Sequence, residues 1–314
     1  MKGKLVLTLA PFVLSIASIA RFVRCYLQWK QTVLQRLQAN SSIIDTTSGP
    51  IEYSMKGEGP ALLLLHGTPG GYDQSMATAR MFKNDHFRYI AVSRPGYLRT
   101  PLQQKSPAAQ ADLYAALLDK LDIQKATVIG TSGGGPSALQ FALRHPERCS
   151  GLIMICSVSQ YYSEQEMLTA LPPICRFFTS LSEHLIFSKN PSLFLIESAL
   201  RYFPYPLIPE GLLQSLTMRE LRKGGYANDM EQFARISDYP LEQITAPTLV
   251  LHGDQDRDVS IKDAERVASK VPHAKFVIDK GGTHLFFFLH RKRIVPLVLD
   301  FLAQLPTKES QNKL

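Results

Sequence analysis

The sequence predicts an α/β protein with a mostly parallel central sheet, flanking helices, and a helical cap inserted between the two halves of the sheet. Two observations support this fold class. Short apolar runs, typical of strands buried on both faces, alternate with helical patterns along much of the chain. That alternation stops over residues 158–240, which hold aromatic, Leu and Pro clusters without a clear buried strand. Strand–helix alternation with one interruption favours a parallel sheet carrying an insertion.

The individual elements follow in order along the chain. A first strand is expected at Ile51–Met55, where apolar and polar residues alternate before a Gly-Glu-Gly-Pro turn. Further strands are expected at Ala61–Leu65, Phe87–Ser93, Ala126–Gly130, Gly151–Ser157, Thr248–His252 and Lys275–Asp279, and helices at Pro107–Leu121, Pro136–Arg144 and Asp263–Lys270. We therefore assign residues 1–40 to an N-terminal segment, 41–157 and 241–314 to the core, and 158–240 to the cap.

Composition excludes several classes of protein. The chain has 314 residues, of which 45% are hydrophobic and 20% charged, which excludes a disordered or collagen-like chain. The net charge is +8, but residues 1–40 carry six cations and no acid. Because the remaining chain is nearly neutral, a nucleic-acid partner is not expected.

The N-terminal segment resembles a membrane anchor. Leu5–Ala20 is a run of 16 uncharged residues with Lys before it and Arg after it. As a helix it would span about 24 Å, somewhat less than a hydrocarbon core of about 30 Å. Residues 21–39 predict a basic amphipathic helix at a membrane surface. We expect membrane association through residues 1–40. The alternatives are a signal cleaved after Ala20, giving a secreted or periplasmic protein, and a helix packed on the soluble domain.

The four cysteines give no metal or disulfide signature. Cys25, Cys149, Cys156 and Cys175 lack the CxxC and zinc-ligand spacings. Cys149 and Cys156 border or lie in an apolar run, which indicates small buried side chains. Neither a metal site nor a cofactor is expected.

The strongest chemical signal is Gly-Thr-Ser-Gly-Gly at residues 130–134, placed between a predicted strand and a predicted helix. A sharp turn there lifts the side chain of Ser132 above the sheet, and glycine on each side avoids steric clashes. The Lys-Ser/Thr of a phosphate-binding loop is missing. Ser132 is therefore the candidate nucleophile.

The loop His66–Gly71 follows the strand Ala61–Leu65 and is rich in glycine. The backbone N–H groups of Thr68 and Gly133 are candidates for an oxyanion hole, which needs two donors directed at the developing negative charge. His66 is interpreted as a residue that braces this loop.

Two later loops supply an acid and a base. Asp254, Asp256 and Asp258 all follow the strand Thr248–His252, and His284 follows Lys275–Asp279. Catalytic groups gather at the carboxyl ends of parallel strands, and the order Ser, acid, His is one known arrangement of a nucleophile, its orienting acid and its base. Spacing alone leaves the three carboxylates as alternatives.

From about residue 50 to residue 303 the chain resembles the α/β-hydrolase fold superfamily, in its cap-bearing esterase, lipase-like and peptidase-like group. The residues that carry the resemblance are His66-Gly67-Thr68-Pro69-Gly70, Arg94-Pro95-Gly96-Tyr97, the Ser132 turn, Gly253-Asp254-Gln255-Asp256 and Gly282-Thr283-His284. The resemblance selects Asp256 as the acid and His284 as the base. Ser93 departs from the family pattern, in which Asp often precedes the Arg-x-Gly segment. Ser at the turn, in place of Asp, disfavours epoxide opening and dehalogenation.

The resemblance implies a serine hydrolase that cleaves an ester or amide of a small molecule through an acyl-enzyme. The alternatives are carbon–carbon bond hydrolysis or cofactor-free peroxidation by the same residues, and a non-catalytic binding protein. The cap is rich in apolar residues, including Phe177, Phe178 and Phe187, which favours an apolar substrate.

Overall fold

A single mixed sheet forms the centre of the protein. The computed structural model describes residues 2–84, 86–170 and 217–306, with six isolated positions between 171 and 216. Within these residues eight strands pair in the order β1-β2-β4-β3-β5-β6-β7-β8. The strands are β1 Ser42–Thr46, β2 Gly49–Lys56, β3 Ala61–Leu65, β4 Arg88–Val92, β5 Ala126–Thr131, β6 Cys149–Ile155, β7 Thr248–Gly253 and β8 Lys275–Asp279. The pairs β1–β2 and β2–β4 are antiparallel, and all other pairs are parallel.

Helices cover both faces of this sheet. Their bounds are α1 Lys2–Ala39, α2 Tyr72–Phe82, α3 Pro107–Lys120, α4 Gly135–Arg144, α5 Glu164–Ala170, α6 Lys223–Phe233, α7 Ile261–Lys270, α8 Phe286–Leu289 and α9 Arg291–Ala303. Leu63 of β3 belongs to one buried cluster with residues of α3, α4 and α7. Its neighbours Leu62 and Leu64 belong to a second cluster with residues of α2 and α9. Because side chains alternate along a strand, each face of β3 is buried under helices, as the apolar run predicts.

The α/β fold class and all seven predicted strands are confirmed, and no strand end differs from its prediction by more than two residues. Between β6 and β7 the described residues contain α5, α6 and short 3₁₀ segments at Arg219–Leu221 and Leu241–Gln243, without a strand. Much of the predicted cap, including Phe177, Phe178 and Phe187, lies outside the described residues.

Helix α1 runs without a break through the apolar run and the basic segment. In its C-terminal half, Trp29, Val33 and Leu37 are buried in a cluster with Tyr72 and Met218. The hydroxyl of Tyr72 also donates a hydrogen bond to the carbonyl of Leu37 at 2.7 Å. This half of α1 is therefore packed on the domain, which is the third of the alternatives considered for the N-terminal segment.

Within the part of the chain that the structure describes, no helix is both long enough and apolar enough to cross a membrane. The prediction of a transmembrane helix in residues 1–40 is therefore not supported. The apolar run has only 16 residues and is followed at once by Arg21 and Arg24.

Deleting residues 1–40 is expected to destabilise the domain, whereas deleting residues 1–20 should not. Burial of an apolar side chain contributes about 1.5–3 kcal/mol. Loss of Trp29, Val33 and Leu37 should thus lower the free energy of unfolding by several kcal/mol, whereas Ile19, near the middle of α1, is 63% exposed. Chemical denaturation of the full chain and both truncations measures the difference. A 1–40 deletion as stable as the full chain would show that this packing contributes nothing.

Candidate active site

Ser132 stands at the sharp turn between β5 and α4. The strand ends at Thr131, and Ser132–Gly134 form a single 3₁₀ turn before α4 begins at Gly135. The φ angle of Ser132 is 49°, in the left-handed region that residues with a Cβ atom seldom adopt. A Cβ atom at Gly130 would lie 2.7 Å from Cβ of Ala138. Glycine therefore lets α4 approach the strand closely, and the strained turn holds Ser132 at the carboxyl edge of the sheet.

His284 and Asp256 reach Ser132 from two other loops of the same edge. Nε2 of His284 lies 3.0 Å from Oγ of Ser132, and its Nδ1 lies 2.8 Å from Oδ2 of Asp256. The other oxygen of Asp256 accepts hydrogen bonds from the backbone N–H groups of Asp258 and Val259 at 2.9 and 3.0 Å. The Asp256 side chain is fully buried and that of His284 is 19% exposed. The three residues form one continuous hydrogen-bonded chain.

The other two carboxylates of the loop point elsewhere. Asp254 accepts a hydrogen bond from the N–H of Gly281 at 2.7 Å and pairs with Lys280 at 3.3 Å. Asp258 is exposed to solvent. Of the three alternatives, Asp256 is the one that contacts His284. Buried His252 adds a second imidazole beside it, with Nε2 3.4 Å from Oδ2 of Asp256.

The surroundings of His284 and Asp256 shift their pKa values in opposite directions. Burial of the His284 ring acts to lower its pKa, but the sulfur of Cys156 and the carboxylate of Asp256 outweigh burial and raise that pKa well above its ordinary value. Burial alone would raise the pKa of Asp256, but His284 and the two backbone N–H donors lower it overall. Asp256 therefore stays ionised and favours a proton on His284.

The raised pKa of His284 predicts an alkaline shift in activity. In its predicted role as the base, His284 must be unprotonated to accept a proton from Ser132, so kcat/KM should rise with pH through a midpoint above about 6.5, the ordinary histidine value. Replacing Asp256 by Asn removes the negative charge and should lower that midpoint. The pH dependence of kcat/KM for both proteins measures this, and a parent midpoint at or below the ordinary value would contradict it.

The loop after β3 lies against the Ser132 turn. A Cβ atom at Gly67 would stand 3.0 Å from Cβ of Ser132, and one at Gly133 would stand 3.1 Å from Cβ of Thr68. Both predicted oxyanion residues, Thr68 and Gly133, are therefore brought together beside Ser132. Glycine at 67 and 133 permits this close approach.

His66 braces this loop from inside. Its Nε2 accepts a hydrogen bond from the backbone N–H of Arg94 at 3.0 Å, and its Nδ1 lies 2.8 Å from the carbonyl of Gly67. Burial, reinforced by the charge of Arg94, lowers the pKa of His66 well below its ordinary value. A neutral ring fits this pattern, because Nδ1 then donates while Nε2 accepts.

Asp229 of α6, which the sequence did not single out, ties the cap region to the same loop. Its carboxylate accepts hydrogen bonds from the guanidinium of Arg94 at 2.8 and 2.5 Å, from the hydroxyl of Tyr97 at 2.5 Å, and from the hydroxyl of Thr68. The side chains of Arg94 and Asp229 are 2% and 3% exposed. The position of Thr68 therefore depends on a buried ion pair.

Replacing Asp229 by Asn is expected to destabilise the protein strongly. The change leaves the charge of Arg94 buried without its partner, which typically costs about 3–5 kcal/mol. Asp238→Asn is a matched control, because Asp238 pairs with Arg266 and Lys270 at the surface. Denaturant unfolding should show a large loss for the first variant and little change for the second. Equal stability of the two variants would contradict the assigned role.

At position 93, where the resemblance leads us to expect Asp, the Ser hydroxyl contacts a carboxylate of β2. The hydroxyl of Ser93 donates a hydrogen bond to Glu52 at 2.8 Å, and Arg99 pairs with the same carboxylate at 2.7 Å. Glu52 is 1% exposed. The carboxylate is thus retained, but from a different element.

A family model and a solved structure each match most of the chain. The family model described as alpha/beta hydrolase fold matches residues 60–291. An alpha/beta hydrolase fold protein from Nakamurella multipartita is 33% identical with a TM-score of 0.65, covering 82% of this chain and 98% of that one.

Two curated relatives add named activities. A 2-hydroxy-6-oxononadienedioate/2-hydroxy-6-oxononatrienedioate hydrolase of Paraburkholderia phymatum is 28% identical over 87% of this chain and 99% of its own length. A poly(3-hydroxyalkanoate) depolymerase of Ectopseudomonas oleovorans is 30% identical over 68% of this chain and 75% of its own. The sheet order, the turn at Ser132 and the matched family model together establish that the chain belongs to the α/β-hydrolase fold family.

Proposed function

We propose that this protein is a serine hydrolase that cleaves an ester, or an amide, through an acyl-enzyme on Ser132. The observation that carries the proposal is the continuous chain from Ser132 through His284 to Asp256, at 3.0 and 2.8 Å. A serine hydroxyl is a weak nucleophile at neutral pH, and a histidine held by a carboxylate is the arrangement that activates it.

The residues of the site have distinct roles in the proposed reaction. Oγ of Ser132 attacks the substrate carbonyl carbon while Nε2 of His284 takes its proton. Asp256 stabilises the imidazolium that forms and keeps the ring oriented. The N–H groups of Thr68 and Gly133 stabilise the oxyanion. His284 then returns the proton to the leaving group, which departs as the acyl-enzyme forms. A water molecule, deprotonated by the same ring, attacks the acyl carbon, and His284 passes that proton to Oγ of Ser132 as the bond between Ser132 and the acyl group breaks.

An uncharged, apolar substrate is favoured by the two buried arginines beside the loop. Arg94 is paired with Asp229 and Arg222 with Asp73, at 2.5 and 2.8 Å. Neither guanidinium is therefore available to neutralise a substrate carboxylate. The apolar composition of the cap supports the same substrate class.

A series of p-nitrophenyl esters of increasing chain length, with aminoacyl amides as a second series, tests this function. We expect measurable hydrolysis of the esters by the parent protein, with a preference for acyl chains longer than acetyl. The Ser132→Ala protein, prepared identically, corrects for spontaneous hydrolysis. Absence of turnover above that background in both series would refute the proposed activity.

Carbon–carbon bond hydrolysis is the second candidate. The Paraburkholderia phymatum relative is named for a dicarboxylate ketone that contains no ester or amide, so its hydrolysis must break a carbon–carbon bond. In this chain a cavity of about 340 Å³ beside Pro69 is lined in part by Arg219, Glu220 and Lys223, and a lining with more cations than acids suits an anionic substrate. Faster turnover of a 2-hydroxy-6-oxo-dienoate than of any uncharged ester would favour this candidate.

A further inference from the structure

Cys156 lies beside the reacting residues although the proposed hydrolysis does not use it. It directly follows β6, is 2% exposed, and has a φ angle of 41°, in the left-handed region. Its Sγ lies 3.5 Å from the backbone carbonyl of His284. The sulfur, a carboxylate oxygen of Asp256 and a ring nitrogen of His284 all lie within 4.8 Å of one another. Three different metal-ligating groups thus converge on one point.

We propose that Cys156, Asp256 and His284 form an inhibitory binding site for a thiophilic divalent cation of the zinc class. Thiolate, imidazole and carboxylate are the ligand types that Zn²⁺ takes in proteins. Zn–S and Zn–N or Zn–O bonds of about 2.3 and 2.1 Å place tetrahedral ligand atoms about 3.4–3.6 Å apart. Nδ1 of His284 and Oδ2 of Asp256, now 2.8 Å apart, must therefore separate by about 0.6 Å, and the sulfur, which lies within 4.8 Å of both groups, must approach them by no more than about 1.2 Å. A water molecule as the fourth ligand completes the tetrahedral coordination.

Binding at this site blocks the base. Nδ1 of His284 is the nitrogen that faces Asp256, so the cation binds there in place of the Nδ1 proton. A neutral imidazole that coordinates through Nδ1 carries its remaining proton on Nε2, and Nε2 then cannot accept the proton of Ser132. The thiol of Cys156 loses its proton to solvent, so thiolate and carboxylate balance the two charges of the cation. The inhibitory consequence rests on the proposed function, whereas the binding site itself does not.

Cys149, the first residue of β6, provides a matched control. It is also buried, at the opposite end of β6, and its thiol donates to the carbonyl of Gly151 at 3.3 Å. Burial raises the pKa of the Cys149 thiol to about 12. Among the described residues, Cys156, Asp256 and His284 are the one group of three metal-ligating side chains whose ligand atoms lie within 4.8 Å of one another. If a cation bound to buried thiols in general, replacing either Cys149 or Cys156 would weaken its binding. If it binds at the proposed site, only replacement of Cys156 should weaken its binding.

The test uses full-length protein freed of metal with a chelator. Ester hydrolysis is titrated with Zn²⁺ for the parent, Cys156→Ala, Cys156→Ser and Cys149→Ala, each relative to its own metal-free rate. Loss of a residue that only hydrogen-bonds to a metal ligand weakens metal binding by about 10–100-fold. Loss of the thiolate, which is itself a ligand, should therefore raise the half-inhibitory Zn²⁺ concentration at least about tenfold. Cys149→Ala should retain the parent value. An equal half-inhibitory concentration in the parent and both Cys156 variants would overturn the site.

Cobalt spectroscopy separates this inference from the proposed function. Co²⁺ should give a thiolate-to-metal charge-transfer band in the parent and in Ser132→Ala, but not in folded Cys156→Ala or Cys156→Ser. A parent that shows this band without hydrolysing any ester would support the site and refute the proposed activity. Ester hydrolysis without a cobalt–thiolate band would refute the site and leave the hydrolase intact.

Discussion

Replacing Ser132 by alanine is expected to abolish labelling by a fluorophosphonate probe and to lower kcat for ester hydrolysis by about 10⁶-fold, with the fold unchanged. Loss of the nucleophile costs about this much in a comparable hydrolase, because the remaining groups then act only through binding and the oxyanion hole. The backbone around Ser132 should tolerate the change, since alanine keeps the Cβ atom at the strained φ angle. Gel-based probe labelling and steady-state kinetics measure the two effects.

Ser157→Ala is the matched control for this variant. Ser157 is a buried serine close to the same strand end, and its hydroxyl donates to the carbonyl of Gly130 at 2.7 Å. It should remain fully labelled by the probe, because its hydroxyl is engaged away from His284. If Ser132→Ala hydrolysed esters at the parent rate, or if Ser157→Ala lost labelling instead, Ser132 would not be the nucleophile.

Replacing Asp256 by asparagine is expected to lower kcat by about 10⁴-fold, the loss seen when a comparable triad acid becomes an amide. Asparagine keeps the shape of the side chain, but its NH₂ group can donate to Nδ1 and leave the proton on Nε2. His284 would then be unable to accept the proton of Ser132. Steady-state kinetics on one uncharged ester measures the loss.

Asp254→Asn and Asp258→Asn are controls within the same loop. Asp254 bonds to Gly281 and Lys280, and Asp258 is exposed, so both variants should keep most of the parent activity. Similar losses in all three variants would mean that the loop as a whole matters and that Asp256 has no special role.

The strands and the Ser132 turn were predictable because their signals are local. Ala61–Leu65 is an unbroken apolar run, and Ser132 sits between glycines at a strand end. The edge strand β1 carries no such run, since its residues are mostly exposed or half-buried. Helix α9 was not predicted either, and Pro296 within it is a residue that ordinarily signals the end of a helix.

The parts of the site that the sequence did not predict depend on contacts between residues far apart along the chain. Three carboxylates within five residues fit the spacing equally well, and the choice of Asp256 came from the resemblance to a family. Asp229 bonds to Thr68 across 161 positions, and Cys156 meets His284 across 128. No periodicity or spacing rule connects such pairs. The apolar run around Cys156 predicts a buried side chain, and Cys156 is buried, but burial alone does not predict which residues it contacts.

The central claim is that hydrolysis proceeds through a covalent intermediate on Ser132. The most direct test mixes the protein with a p-nitrophenyl ester, stops turnover with acid, and locates any added acyl mass by peptide mass spectrometry. We expect the acyl group on the peptide that contains Ser132, with no such mass in the Ser132→Ala protein. An acyl group on another residue, or continued turnover with no acylated peptide at any quench time, would contradict the mechanism.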